Sequence, residues 1–130
     1  LVFGLAIGLA IGATIVIVAQ AAADDVRFAK SLKMLDPVDR LEQLCDYTAM
    51  QAIRKDHSPF RPDRAVAGNE PHIKGDTIEA KVGAFRSKKK WYALSYSCTA
   101  APDHLSVTSF NYKIGDEIPE ANWASYGLWD

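Results

Sequence analysis

The sequence has 130 residues, with 15 basic and 16 acidic side chains, a formal net charge of −1 at pH 7 and 48% apolar residues. That balance excludes a disordered chain, a multi-spanning membrane protein and a strongly basic nucleic-acid binder. The charge is unevenly spread: residues 1–23 hold no Asp, Glu, Lys, Arg or His, so all 31 charged residues fall in the other 107 positions.

The opening run LVFGLAIGLAIGATIVIVAQAAADD has two readings. A bilayer core takes about 20 apolar residues as a helix, and Leu1 to Ala19 approach that length. A secretory signal ends in small residues, and Ala19-Gln20-Ala21 and Ala21-Ala22-Ala23 both fit that exit. A basic start and an initiating Met are missing, as expected of a chain truncated upstream or begun at an alternative codon. Gly4, Gly8 and Gly12 form overlapping GxxxG steps suited to close helix approach in a membrane. Residues 1–23 are thus a cleaved signal peptide or a retained inner-membrane anchor (a transmembrane helix). Either one sends residues 24–130, as a single exported domain, to the periplasm or outside the cell.

Two cysteines suit such a compartment, where an even count in a small domain reads as a disulfide, Cys45 to Cys98. A free buried thiol and a metal site are the competing readings. Neither cysteine has a second Cys or a His at ligand spacing, which weighs against the metal.

Residues 26–35 are expected to form a short helix with Phe28, Leu32 and Leu35 on one stripe. Asp36 reads as an N-cap and Pro37 as the first position of a long helix, with Asp39 and Glu42 favouring its dipole. Its apolar face is Val38, Leu41, Cys45, Thr48, Ala49 and Ala52, widened by Leu44 and Ile53, and it should stop near Lys55-Asp56. Residues 60–75 read as irregular, with a short extended piece from Arg64 to Ala67.

The period then changes to two. In 77–84, Ile78, Ala80, Val82 and Ala84 alternate with polar residues, the mark of a strand with one wet face. Arg86 to Lys90 reads as a tight basic turn. In 91–98, Tyr92, Leu94, Tyr96 and Cys98 share one face and Trp91, Ala93, Ser95 and Ser97 the other. Residues 105–114 are strand-prone, with a slip between Val107 and Phe110 that implies a bulge or a strand covered on both faces. Gly115-Asp116 should close that strand, before a helical or coiled tail with Trp123, Tyr126, Leu128 and Trp129. The expected class is α+β: an N-terminal signal or anchor helix, one long helix packed on a small antiparallel β-meander, and a short C-terminal helical tail. The helices are placed on one side of the sheet.

Several stretches together resemble a bacterial domain of unknown function, the family numbered 930. They are Leu41-Glu42 with Cys45, Ala49-Met50 and Ile53, then Ala84-Phe85-Arg86-Ser87, Trp91-Tyr92, Leu94, Tyr96 and Cys98. Asp103-His104, Ser109-Phe110, Tyr112, Ile114-Gly115, Ile118-Pro119 and Trp123 complete the pattern. The resemblance runs from about residue 34 to 129 and implies an envelope or exported location without an assigned activity.

Two clusters carry candidate chemistry. Arg86, Lys88, Lys89 and Lys90 beside Trp91 could grip phosphates, acidic glycans or anionic headgroups, or could be a solvated turn that keeps a hairpin soluble. Trp91, if outward, could stack on a sugar or anchor a protein. Asp103-His104 is the most enzyme-like pair, with Ser106 and Ser109 nearby, although neighbours on a turn seldom point together and Asp103 suits a backbone-bonding role. His57 and His72 lie in loops and form no ligand pair; neither a metal nor any other cofactor is expected.

The leading expectation is a non-enzymatic cell-envelope domain that binds an envelope component or protein partner, anionic in the version using Arg86, Lys88, Lys89, Lys90 and Trp91. Nucleic acid is not expected as a partner. The rivals are a small hydrolase-like enzyme built on Asp103 and His104, and a membrane-tethered structural protein touching the bilayer through Leu1 to Ala19.

Overall fold

The computed structural model describes residues 26–130. The signal-or-anchor reading of residues 1–23 and its glycine face lie outside the described residues. Residues 26–32 form helix α1, and Pro37–Asp56 form α2. α1 ends three residues earlier than its pattern suggests, because Lys33 to Leu35 turn the chain into α2. Asp36 occupies the N-cap position with extended backbone, but its carboxylate makes no capping bond. The guanidinium of Arg40 closes the other side of this corner: Nε donates to Leu32 O at 3.1 Å and Nη2 to Leu35 O at 3.0 Å. Leu32 ends α1 and Leu35 closes the turn after it, where regular helical bonds run out.

Five strands follow: β1 (Pro62–Val66), β2 (His72–Lys74), β3 (Thr77–Ser87), β4 (Lys90–Ala100) and β5 (Val107–Glu117). They make one antiparallel sheet in the order β1-β3-β4-β5, with β2 also on β3. The three expected strands are present and longer. The region read as irregular supplies two more: the extended piece expected from Arg64 to Ala67 is β1, two residues earlier at its start, and β2 is unexpected; they pair with successive halves of β3. Gly115-Asp116 does not close β5, which continues to Glu117.

Bulges set which side chains reach the core. On β3, Ala80 pairs with Tyr96 and Gly83 with Leu94, so Lys81 and Val82 together face Ser95. One extra residue reverses the alternation. Ile78 and Ala80 therefore face α2, Phe85 replaces Ala84 on that face, and Val82, expected inside, is exposed. The slip near Val107 is a bulge as well: Thr99 pairs with Ser109 and Ala100 with Val107, leaving Thr108 over.

The main core lies between α2 and the sheet. It joins Leu41, Leu44, Cys45, Ala49 and Ile53 to Ile78, Phe85, Leu94, Tyr96 and Cys98. Val38, placed on the buried stripe by spacing, is 54% exposed. The disulfide Cys45–Cys98 crosses this core with a Cα–Cα distance of 6.0 Å, and its separation of 53 residues corresponds to about 4 kcal/mol of chain-entropy stabilisation.

The tail covers the opposite face and so does not join the helices on one side. After β5 it makes two 3-10 turns, Glu120–Asn122 and Ala124–Tyr126, and Gly127 reverses it at φ 70°. Ile118 and Leu128 then pack with Ala84 and Trp91 in a second, smaller core. The sheet thus has an apolar layer on both sides near the β3–β4 turn and is open behind its other half.

Candidate functional site

The β3–β4 connection is a two-residue turn, because Ser87 pairs with Lys90. Lys88 and Lys89 form it, with φ of 51° and 65°. Such a turn matches strand twist when both residues are left-handed, a conformation that favours Asn and Gly over lysine. The five-residue basic turn read from sequence therefore shrinks to its tip, and its members diverge. Arg86 lies on β3 and makes a two-pronged pair with Asp63, Nε to Oδ1 at 3.0 Å and Nη2 to Oδ2 at 2.8 Å. That pairing holds the Asp63 carboxyl below the usual carboxylate range. The same guanidinium lies 5.8 Å from the Trp91 ring centre.

Trp91 is fully buried. Its Nε1 donates to Trp129 O at 2.7 Å, and the two indoles meet edge to face. It cannot stack on a sugar, because the tail occupies its face. Lys90 Nζ stands 3.8 Å from Glu117, both largely exposed, a weak surface pair. Lys88 and Lys89 have no ion-pair partner among the described residues.

The tip overhangs a cavity of about 310 Å³ beyond the end of α2, lined by Arg54, Ser58, Pro59, Phe60, Arg61 and Lys88. Three of these six are cations and none is acidic. The sequence reading missed Arg54, Ser58 and Arg61, because nothing local marks residues that meet Lys88 only after α2 and β3 are in place.

At the other end of the sheet, Asp103 and His104 do not act on each other. Asp103 Oδ1 accepts from the Leu105 backbone N–H at 3.1 Å, the turn role that competed with catalysis, and its carbonyl accepts from Arg40 Nη1 at 3.1 Å. His104 is buried with φ 56°. Nδ1 lies 2.8 Å from Pro37 O, 67 residues away, and Nε2 lies 2.8 Å from Asp76 Oδ1, 28 residues away. Both ring nitrogens are thus engaged within the fold. No serine or threonine hydroxyl hydrogen-bonds to this ring among the described residues. The imidazole instead joins the start of α2, the β2–β3 turn and the β4–β5 loop.

A buried carboxylate lies under α2 beside the disulfide. Asp46 is 5% exposed and accepts from Tyr96 Oη at 2.9 Å. Burial raises its pKa to about 7, Glu42 adds repulsion, and the Tyr96 bond opposes the rise. The Tyr96 hydroxyl is raised too, by burial and then by Asp46. A second phenol, Tyr112, donates to Asp56 Oδ2 at 2.8 Å at the end of α2.

On the open face, a groove of about 210 Å³ runs over Gly83, Ala93 and Gly115 between Lys81, Lys113 and Tyr126. Its bare floor follows from strand packing: a Cβ on Gly115 would come within 2.9 Å of the Ala93 Cβ. His57 and His72 lie apart, on the end of α2 and on β2. Among the described residues no group of three or more His, Cys, Asp and Glu is placed to hold a metal ion, and no helix is long and apolar enough to cross a membrane.

A family model described as Domain of Unknown Function (DUF930) matches residues 32–128. No curated protein and no solved structure matches the chain. The matched span runs from the end of α1 to the tail residue that covers Trp91, and so includes both ends of the sheet.

Proposed function

The chain belongs to the family described as Domain of Unknown Function (DUF930), and on that premise we propose that it is a non-enzymatic, exported cell-envelope domain that binds an anionic partner with its β3–β4 tip. The observation that carries this reading is the pair Lys88-Lys89. Two lysines occupy left-handed positions where Asn-Gly would be easier, and neither ammonium group has a partner among the described residues. Backbone strain kept at an exposed, charged position favours a role for those charges. Lys90 extends the cationic edge, while Arg86 and Trp91 support it from behind: Arg86 fixes β1 to β3 through Asp63, and Trp91 holds the tail.

The non-enzymatic part draws support from the Asp103-His104 region, where both imidazole nitrogens and the Asp103 carboxylate are already bonded within the fold. Export draws support from the uncharged opening run and from the disulfide, which persists in an oxidising compartment. Replacing Lys88, Lys89 and Lys90 with Gln and measuring retention on purified envelope or an acidic glycan tests the proposal. The expected result is lost retention in the variant and salt-sensitive retention in the parent. Unchanged, salt-insensitive retention removes the tip from the function. Intact mass of the native protein shows whether the mature chain begins near Ala22 or Asp24, or keeps its apolar segment.

A further inference from the structure

Three cations from separate parts of the chain converge on the cavity beyond α2: Arg54 from the last helical turn, Arg61 from the approach to β1, and Lys88 from the tip. Each is positioned by its backbone or by a bond to one. Arg54 Nη2 donates to Pro62 O at 2.8 Å, the Arg61 backbone N–H donates to Ser87 Oγ at 2.9 Å, and Lys88 is set by its left-handed φ. Phe60 fixes the intervening loop by packing edge to face on Phe85 and Tyr92. The backbones that carry the three cations are therefore fixed around one cavity, and the Arg54 guanidinium is itself hydrogen-bonded there.

Like charges gathered in a concave site repel. Close by, a carboxylate does neutralise a cation, Asp63 on Arg86, and Glu117 stands 3.8 Å from Lys90. The cavity lining contains no such carboxylate. The C-terminal end of α2 contributes about half a negative charge, which three full positive charges outweigh.

We propose that this cavity binds a phosphate ester, with the phosphate held by Arg54, Arg61 and Lys88. The Ser58 hydroxyl completes the donor set, and the proposal rests on the reading of the tip as an anion-binding surface. Two forked guanidinium groups, an ammonium and a hydroxyl offer more donors than the two oxygens of a carboxylate accept. A tetrahedral phosphate takes donors from several directions and carries more charge. A bare phosphate is much smaller than the cavity of about 310 Å³, and Pro59 and Phe60 give the esterified group an apolar wall.

The test is a titration of the full chain with inorganic phosphate, followed by calorimetry. Saturable binding is expected, weakened about tenfold or more by R61Q, the loss of one charge-assisted contact. The Arg61 side chain makes no hydrogen bond among the described residues, so R61Q leaves the fold intact. R54Q, which also loses the bond to Pro62 O, is compared at equal folded fraction. K89Q and K90Q, outside the lining, are expected to leave phosphate affinity within about twofold. Vesicles distinguish the sources, because the apolar opening run meets phosphatidylcholine alone and phosphatidylglycerol in phosphatidylcholine alike. An R61Q-sensitive gain on the anionic vesicles makes the ligand a lipid headgroup. Phosphate binding without that gain makes it a soluble ester. If neither phosphate nor anionic vesicles show R61Q-sensitive binding, the cavity proposal is overturned, and envelope retention that still depends on Lys89 and Lys90 keeps the tip reading alone. Loss of both effects ends both.

Discussion

The two ends of the sheet use their polar groups differently. At the end where α2 begins, Asp103, His104, Asp76 and Arg40 are all engaged in hydrogen bonds within the fold. At the end where α2 stops, Lys88, Lys89 and Arg61 keep their charges unpaired among the described residues. The first end contains the more enzyme-like residues and behaves as a clasp. The other has the composition of an ordinary soluble turn, yet its cations stay unpaired among the described residues. Residue type alone ranks the two ends in the opposite order. What separates them is which donors and acceptors remain after folding.

The largest effect tests the frame that holds both ends in place. Replacing Cys45 and Cys98 with Ala removes the cross-link between α2 and β4 and should cost about 4 kcal/mol in denaturant unfolding, a large part of the stability of a domain this size. A cost well below 1 kcal/mol would mean that the α2–sheet core stands without its staple.

Asp46 gives a pH test of the same frame. Its pKa is raised to about 7 in the fold from an ordinary 3.8, so the folded state binds a proton that the unfolded state releases between those values. Stability contributed by this group is present below about pH 4, falls as pH rises, and is gone above about pH 7. Each pH unit inside that window is worth about 1.4 kcal/mol, so between about pH 5 and pH 7 the loss is on the order of 2–3 kcal/mol. D46N keeps an acceptor for Tyr96 and should flatten this slope. An unchanged slope in D46N would assign the pH dependence to other groups.

Stability and retention should move separately at the two ends. His104→Ala deletes a buried ring and two bonds and should cost about 2–3 kcal/mol, while leaving retention on anionic envelope unchanged at equal folded fraction. The Gln variants of Lys88, Lys89 and Lys90 should do the reverse: stability within about 0.5 kcal/mol and retention lost. If His104→Ala abolished retention without lowering stability, the clasp would be a site after all.

Much of the fold was legible in the sequence because its signals are local. Pro37 and the spacing of Leu41, Cys45 and Ala49 give α2, and Tyr92, Leu94, Tyr96 and Cys98 give the inner face of β4. The slip near Val107 announced the bulge at Thr108. Non-local features stayed hidden. The bulge at Lys81-Val82 is visible only from the register with Ser95, and it sends Val82 out and Phe85 in. β2 was not legible at all, and the extended piece expected from Arg64 becomes strand β1 because β3 offers it an edge. Trp91 is covered by residues 27 to 38 positions further on, so its burial depends on the path of the tail. At the candidate site the cations of the tip were legible as a run. The loss of Arg86 to Asp63, and the gain of Arg54, Ser58 and Arg61, required the folded chain.

The smallest effect is the most specific to the tip. Lys89 has a φ of 65°, where an L-residue is disfavoured and glycine is at ease, and it takes the second place of a turn that prefers Gly there. Lys89→Gly should therefore raise stability by up to about 1 kcal/mol, an unusual direction for a substitution and one read directly as a higher denaturation midpoint. The same change removes a charge that projects beyond the cavity lining, so envelope retention should fall while phosphate affinity stays within about twofold. A gain in stability joined to a loss in retention would mean that the chain carries a less stable turn in exchange for a charge at its tip. A gain in stability with retention intact would leave Lys89 a solvated turn residue and confine the binding function to the three cations of the cavity.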